Sequence, residues 1–160
     1  MGWKQPEMLG AGARAPDFRL QDLNGQTQSL KEILGRGPAL LAFFKVSCPV
    51  CQFTFPFLQR LHESAGGIAI LGVSQDKAAA TREYNAEFGV TFPTLLDDAG
   101  YSVSNAFGLH TVPSLFLIEP DGTISLAACG FVKKDLEALG QRLGVPPFRE
   151  GERVPENKPG

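Results

Sequence analysis

The sequence predicts an α/β fold in which helices cover both faces of a mixed β-sheet. Two continuous apolar runs of strand length, at 39–46 and 68–74, are typical of strands that are buried on both faces. Segments of helical character alternate with these runs, and a strand pair across an Asp-Gly turn at 114–129 adds an antiparallel edge. These three observations predict a three-layer α/β/α sandwich with parallel strands in the middle.

Each element has its own signal in the sequence. An Asn-Gly turn predicts an N-terminal β-hairpin over 17–30, and glycines end the short helix at 29–34. A longer helix begins after Ser47 and runs to about Ser64. The remaining elements are, in order, a helix at 77–89, a short strand at 94–98, a short helix at 101–109, the hairpin at 114–129 and a helix at 133–144 with Leu136, Leu139 and Leu143 at helical spacing.

One domain is expected for the whole chain, residues 1–160, because 160 residues is an ordinary size for a single domain. Its core is expected at about 13–145. The first fifteen or so residues and the segment 147–160 are rich in Gly, Pro and charged residues. Both are therefore expected to be loosely attached ends.

The composition is that of an ordinary soluble globular protein, with 43% hydrophobic and 20% charged residues. A formal net charge of -2 provides no basic field for binding nucleic acid. The longest apolar run, at 38–44, is too short to cross a bilayer, and the first residues lack the pattern of a signal peptide. The cytoplasm is the expected compartment, with an exported bacterial protein whose signal has been removed as the alternative.

Cys48 and Cys51 stand at the predicted start of a helix. Proline is favoured at the first helical position, so Pro49 makes Cys48 the N-cap residue, whose sulfur faces the amide of Cys51. This hydrogen bond and the helix dipole favour the thiolate of Cys48. Cys51 lies one turn further in and is expected to be more buried and more protonated. Dithiol exchange requires this asymmetry, because one sulfur attacks a substrate disulfide and the other resolves the mixed disulfide.

Two prolines accompany the cysteine pair. Pro56 falls inside the predicted helix, where proline removes one hydrogen bond and favours a kink. Pro113 stands at the start of a strongly apolar strand, where proline is tolerated and a cis bond after Val112 can form. The buried strand, the Cys-x-x-Cys at a helix start and these two prolines together resemble the thioredoxin superfamily. The opening segment and the extra helix–strand unit at 74–98 are similar to its TlpA/ResA-like and peroxiredoxin-related (AhpC/TSA) branch, over about residues 13–145.

The resemblance implies a thioredoxin-like fold with an N-terminal β-hairpin extension and the activity of a thiol-disulfide oxidoreductase. Cys48 would be the nucleophile and Cys51 the resolving cysteine. The expected partners are a protein disulfide substrate and a dithiol electron donor, with no cofactor, no metal and no nucleic acid. The direction of electron flow depends on the reduction potential and stays open, as does the oligomeric state.

The resemblance also implies a substrate-binding groove beside the cysteine pair. Pro113 would be a cis proline packed against the pair, and the backbone near Val112 would offer strand-like hydrogen bonds to a substrate peptide. Thr111 precedes this position, and Pro49 and Val50 lie between the cysteines. These five residues are therefore expected to contact the substrate.

Several positions depart from the family pattern. Ser47 replaces the Trp that precedes the first cysteine in thioredoxins, and Ala42 replaces their buried acid. Thr54 stands where some TlpA/ResA-like proteins carry a Glu. The usual proton acceptor is therefore missing, and Glu119 or water is left for that role.

Other interpretations of the cysteine pair stay open. The main alternative is a peroxiredoxin-like thiol peroxidase that reduces hydroperoxides, although aligning the peroxiredoxin motif on Cys51 puts Phe44 and Cys48 at its Pro and Thr positions. A zinc site could use both cysteines with Cys129 and His110, but a single Cys-x-x-Cys is weak support for zinc. The pair could also be inert core, or the fold could serve a non-catalytic binding protein.

A few residues outside the pair receive simpler assignments. Cys129 is expected to pack at the end of a strand, with thiol exchange with the pair as the alternative. Phe53, Phe55 and Phe57 occupy helical positions that cannot all face one way, so at least one is expected to be exposed near the site. Asp97 and Asp98 form a charge pair that is expected to lie in a solvated turn.

Overall fold

The computed structural model describes residues 7–64 and 66–160. In that part of the chain the strands are β1 (Arg19–Asp22), β2 (Thr27–Ser29), β3 (Ala39–Phe44), β4 (Ala69–Ser74), β5 (Thr94–Leu96), β6 (Ser114–Ile118), β7 (Ile124–Cys129), β8 (Phe131–Val132) and β9 (Asn157–Lys158). The helices are α1 (Leu30–Leu34), α2 (Pro49–Glu63), α3 (Ala78–Phe88), α4 (Ser102–Ala106) and α5 (Lys133–Leu143).

Seven of the strands in the described residues form one mixed sheet in the order β2-β1-β5-β4-β3-β6-β7. The central strands β3, β4 and β5 run parallel, whereas β6 is antiparallel to β3 and β7 is antiparallel to β6. The N-terminal hairpin β1–β2 extends the opposite edge through antiparallel pairing of β1 with β5. The predicted mixed sheet with an N-terminal hairpin extension is confirmed.

Strand β3 lies at the centre of the sheet and supplies both layers of the core. Alternate residues from Leu40 to Phe44 pack against the layer of α2, α3 and α5. Alternate residues from Ala39 to Phe43 pack against the layer of α1 and α4. All of these side chains have 0% exposure. Because β3 ends just before the cysteine segment, it fixes the point at which that segment leaves the sheet.

Local capping explains where two of the helices begin and end. The Ser29 hydroxyl accepts a hydrogen bond from the Glu32 amide at 3.1 Å and donates one to the Glu32 carboxylate, so Ser29 caps the start of α1. Gly89, with φ of 67°, ends α3 in the left-handed conformation that glycine adopts without a steric penalty. Both boundaries follow from the sequence pattern.

Both ends of the described chain contact elements that are far away in the sequence. Residues 1–6 lie outside the described part, but the Leu9 amide donates to the Phe107 carbonyl at 3.1 Å. At the other end, Arg60 in α2 makes a bidentate ion pair with Glu152, with N–O distances of 2.7 and 2.8 Å. The C-terminal segment therefore contacts a helix that is far away in the sequence.

After Glu152 the chain runs back to β8 and forms the short strand β9. Strand β9 pairs antiparallel with β8, placing Phe131 opposite Lys158 and Val132 opposite Asn157. The sequence analysis missed both strands. A strand of two residues is too short to show the alternation of apolar and polar residues by which strands are recognised in a sequence.

Asp97 is buried, with 2% exposure, and does not lie in a solvated turn. Its carboxylate accepts hydrogen bonds from the amides of Val103 at 3.1 Å and Ser104 at 2.7 Å, and from the Ser104 hydroxyl at 2.7 Å. The expectation is wrong because the carboxylate binds the amides that a helix N-terminus leaves unpaired. These bonds hold the start of α4 against the end of β5.

Candidate active site

The loop between β3 and α2 is held by two polar side chains. The Val46 amide donates to the Asp76 carboxylate at 2.8 Å, and the Gln52 side-chain amide donates to the Val46 carbonyl at 2.9 Å. The predicted strand therefore ends at Phe44, before Val46. The sequence analysis missed Asp76 and Gln52. The position of Asp76 just after β4 is a usable signal, since adjacent parallel strands end at the same edge of a sheet.

Cys48 is the N-cap residue of α2, with Pro49 at the first helical position. The Cys51 amide donates to the Cys48 sulfur, with 3.1 Å between N and Sγ. Cys48 itself is half-buried, so its sulfur is accessible at the helix end. The predicted cap geometry of the pair is confirmed, and it places the Cys48 sulfur where a helix N-terminus stabilises negative charge.

Cys51 is fully buried, with 0% exposure, in the core layer of α2, α3 and α5. Burial and then its hydrogen bond with Cys48 raise the pKa of the Cys51 thiol well above the ordinary value for cysteine. Cys51 is therefore a protonated thiol at neutral pH. The two sulfurs differ in exposure and in hydrogen bonding, as the sequence pattern predicts.

The second wall of the site is the turn that leads into β6. The Val112–Pro113 peptide bond is cis, as the resemblance implies. The Cys48 thiol donates to the Val112 carbonyl oxygen, with 3.4 Å between the two atoms. The Pro113 carbonyl in turn accepts from the Gly130 amide at 2.8 Å, and the Thr111 carbonyl accepts from the Ser114 hydroxyl at 2.8 Å. The structure thus brings Cys48 and the cis-proline turn together.

The residues expected to contact substrate differ in their exposure. Pro49 is exposed, Val50, Thr111 and Val112 are half-buried, and Pro113 is buried beneath them. A cavity of about 330 Å³ opens beside this turn. It is lined by Lys45, Gln75, Leu109, His110, Thr111 and Val112. The cavity beside the turn is therefore lined mainly by polar groups and is not a deep apolar pocket.

Glu119 is not near the cysteine pair. It pairs with Arg142 and accepts from the Ser125 hydroxyl, and it follows Ile118, which is paired with Ala39 at the opposite end of β3 from the cysteines. The proposed role of Glu119 as proton acceptor is wrong, because β6 runs antiparallel to β3 and carries this residue away from the site.

Ala42 and Thr54, which stand where related proteins carry acidic residues, are both buried in the core. Ala42 is fully buried in β3, and the Thr54 hydroxyl donates to the Val50 carbonyl at 2.7 Å within α2. Neither side chain offers a carboxylate to the Cys51 thiol. Burial of Cys51 without a carboxylate from either position agrees with the raised pKa of its thiol.

The zinc interpretation has no support in the structure. Within residues 7–64 and 66–160, no group of three or more His, Cys, Asp and Glu side chains could hold a metal ion. His110 is exposed. Cys129 is exposed too, so the expectation that its side chain packs in the core is wrong. It ends β7 opposite Ser114, at the edge of the site.

An aromatic cluster lies next to the site along α2. Phe55 and Phe57 are buried, whereas Phe53 is half-buried. Phe53 packs against Phe131 of β8, with 5.0 Å between ring centroids, and the Lys158 ammonium lies 4.9 Å from the centre of the Phe53 ring. None of the three rings is exposed as predicted: Phe53 is the least buried, and the C-terminal segment covers part of it.

Comparison with known proteins agrees with this geometry. Residues 11–127 match the AhpC/TSA family. The chain is 32% identical over 130 residues to the thiol-disulfide oxidoreductase ResA of Geobacillus thermodenitrificans, covering 79% of this chain and 74% of that one. It is 29% identical over 133 residues to ResA of Bacillus subtilis, covering 81% of this chain and 73% of that one.

A solved structure shares the fold. The putative thiol:disulfide interchange protein DsbE from Chlorobium tepidum superposes with a TM-score of 0.74 at 28% identity, covering 84% of this chain and 95% of that one. Among the described residues, none of the helices has both the length and the apolar character to span a membrane. With its family match, its relatives and its fold in agreement, the chain belongs to the AhpC/TSA family and is a ResA-like thiol-disulfide oxidoreductase of the thioredoxin superfamily.

Proposed function

We propose that Cys48 and Cys51 form a dithiol/disulfide pair that reduces or exchanges disulfides in protein substrates. The observation that carries the proposal is the position of the Cys48 sulfur. It lies at the N-terminus of α2, accepts from the Cys51 amide at 3.1 Å and contacts the Val112 carbonyl at 3.4 Å. A half-buried sulfur at a helix N-terminus beside the backbone of Val112 suits attack on a disulfide held in an extended peptide.

The reaction proceeds in two exchanges. The Cys48 thiolate attacks one sulfur of the substrate disulfide, forms a mixed disulfide and releases the other substrate sulfur as a thiolate. Cys51 then gives its proton to solvent water and attacks the Cys48 sulfur, which forms the Cys48–Cys51 disulfide and releases the second substrate sulfur as a thiolate. Two electrons pass to the substrate. A dithiol electron donor then reduces the Cys48–Cys51 disulfide by the same chemistry in reverse.

Substrate binding is assigned to the residues around the Cys48 sulfur. Val112 offers its backbone to an extended peptide, Pro113 fixes the turn from below, and Thr111 lies beside it. Pro49 and Val50 form the opposite rim at the start of α2. All but the buried Pro113 are at least partly exposed.

Insulin-disulfide reduction with dithiothreitol as the donor tests the proposal. The wild-type protein is expected to precipitate reduced insulin chains, and Cys48→Ser is expected to lose this activity. Cys129→Ser is the matched control, because Cys129 is also an exposed cysteine but lies outside the pair. Full activity of Cys48→Ser would show that the nucleophile is assigned wrongly.

The reduction potential of the pair decides the direction of electron flow. Equilibration of the purified protein with glutathione buffers measures it. A potential near about −270 mV, as in thioredoxin, would favour a reductase, and a potential near about −120 mV, as in DsbA, would favour an oxidase. The variants Cys48→Ser and Cys51→Ser should show no such two-electron transition.

A hydroperoxide reductase is the alternative function, since the AhpC/TSA family match spans residues 11–127. The structure does not favour it, because Cys51, which aligns with the peroxidatic position, is fully buried and has a raised pKa. Peroxide would have to react with Cys48 instead. Fast, saturable turnover of hydrogen peroxide with a thiol donor would reverse the order of these two proposals.

A further inference from the structure

The segment 157–160 lies across the groove that the proposed function assigns to substrate. A Cβ added to Gly160 would overlap the Val112 carbonyl oxygen and lie 2.9 Å from the Thr111 hydroxyl oxygen. The Val112 oxygen is the atom to which the Cys48 thiol donates. Gly160 therefore lies against the backbone that an incoming peptide would need.

Gly130, which borders the cis-proline turn, contacts the same segment. A Cβ added to Gly130 would lie 3.1 Å from the Gly160 nitrogen and 3.3 Å from the Pro159 Cα. The Gly130 amide also donates a hydrogen bond to the Pro113 carbonyl oxygen. Glycines on both sides thus allow the segment to approach the cis-proline turn more closely than any residue with a side chain could.

A cation–π contact fixes the segment one residue earlier. The Lys158 ammonium lies 4.9 Å from the centre of the half-buried Phe53 ring, which in turn packs against Phe131. A cation over an aromatic face is attracted by the negative potential of the ring. Phe53 consequently provides a position for a basic side chain next to the cysteine pair.

This segment is held weakly, but it is tethered close to the groove. Its pairing with β8 involves only two residue pairs, and both residues of β9 are exposed. An isolated ladder of this size has little stability of its own. The ion pair between Arg60 and Glu152 anchors the chain a few residues earlier. A short tether gives such a segment an effective concentration on the order of millimolar, so it fills the groove and yet can be displaced.

We propose that residues 157–160 are an intramolecular occupant of the substrate groove. An extended segment of a disulfide-bearing protein displaces them, pairs with β8 and places a basic side chain over Phe53. The competition with substrate rests on the proposed function, whereas the binding of an extended basic peptide to this groove does not. The two parts can be tested separately.

Kinetics test the competition in two variants that empty the groove in different ways. One variant lacks residues 157–160, and the other is Gly160→Val, whose side chain would overlap Val112. Gly10→Val is the matched control, because a Cβ at Gly10 meets no atom within 4 Å. With insulin as substrate, both groove variants are expected to lower KM about threefold or more at unchanged kcat, since the occupied fraction reduces apparent affinity. An unchanged or raised KM in both would overturn the competition.

Direct binding tests the groove without catalysis. The probe is a fluorescein-labelled peptide Val-Pro-Glu-Asn-Lys-Pro-Gly, the sequence of residues 154–160, measured by anisotropy on proteins that carry Cys48→Ser and Cys51→Ser. The truncated protein is expected to bind it at least about threefold more tightly than the intact chain. A Glu in place of the peptide's Lys should weaken binding about threefold. Equal binding to the truncated and intact proteins would overturn the inference, whereas failure of insulin reduction alone would overturn only the proposed function.

Discussion

The backbone amide of Cys51 donates a hydrogen bond to the sulfur of Cys48 across 3.1 Å. The buried residue thus supports negative charge on the accessible sulfur, while burial and the hydrogen bond between the two residues raise the pKa of its own thiol. Cys48 and Cys51 have identical side chains, but this hydrogen bond and their different burial give them different roles. The predictions below concern this pair first and then the contacts that hold the site in place.

Cys51→Ser should trap the substrate. Without the second thiol, the mixed disulfide between Cys48 and the substrate has no intramolecular route to resolution. Incubation with oxidised insulin followed by non-reducing mass spectrometry should detect a covalent adduct of the variant, and kcat should fall at least about 10³-fold. The Cys48→Ser variant serves as the control and should form no adduct. Turnover by Cys51→Ser at the wild-type rate would mean that another group resolves the mixed disulfide.

Iodoacetamide should distinguish the cysteines at pH 8. It reacts with thiolates, and the raised pKa and full burial of Cys51 keep that thiol protonated and covered. Peptide mapping should therefore find carbamidomethyl groups on Cys48 and Cys129 but not on Cys51. The pattern should persist for Cys51 in Cys48→Ala, because burial remains after the hydrogen bond is lost. Labelling of Cys51 as fast as Cys129 would contradict the buried position.

Asp97→Ala should destabilise the fold by about 3 kcal/mol, because it leaves buried amide and hydroxyl donors at the start of α4 without their acceptor. Urea unfolding followed by circular dichroism measures the change in the free energy of unfolding. Asp98→Ala is a matched control, since Asp98 is exposed, and should change that free energy by less than about 0.5 kcal/mol. Equal effects of the two substitutions would argue against the capping role of Asp97.

Acid should weaken the attachment of the C-terminal segment. The side-chain hydrogen bond from Arg60 lowers the pKa of Glu152 from 4.5 to about 2. The folded protein therefore holds this proton less tightly than the unfolded chain, so the pair stabilises the fold above pH 4.5 and this contribution is lost as the pH falls toward 2. The difference in free energy of unfolding between wild type and Glu152→Gln should shrink between pH 5 and pH 2. Glu150→Gln, at an exposed neighbouring position, should show no such trend.

The cysteine pair was predictable because its determinants are local. The proline that starts α2, the cap residue before it and the amide it meets all lie within one turn of helix, so their geometry follows from the sequence alone. The central position of β3 and β4 was predictable for a similar reason, since long apolar runs are typical of strands covered on both faces. In both cases the short-range pattern determines the structure.

The contacts that were missed connect residues far apart in the chain. Glu152 meets Arg60 across 92 positions, and no local pattern distinguishes it from the other charged residues of a polar tail. Asp97 has the sequence context of a surface turn, but the helix N-terminus that it caps is formed by later residues. Glu119 was considered as the proton acceptor, but the long-range antiparallel pairing of β6 with β3 carries it to the opposite end of β3 from the cysteines.

Alternate side chains of β3 pack into the two core layers, so the position of the cysteine pair depends on the number of residues in this strand. Inserting or deleting a single residue between Ala39 and Phe44 would turn the following side chains toward the opposite layer and rotate the exit of the chain away from Pro113. Point substitutions around Cys48 meet no such constraint. Descendants of this protein can therefore vary the chemistry of the thiol pair freely, while the number of residues that leads to it stays fixed.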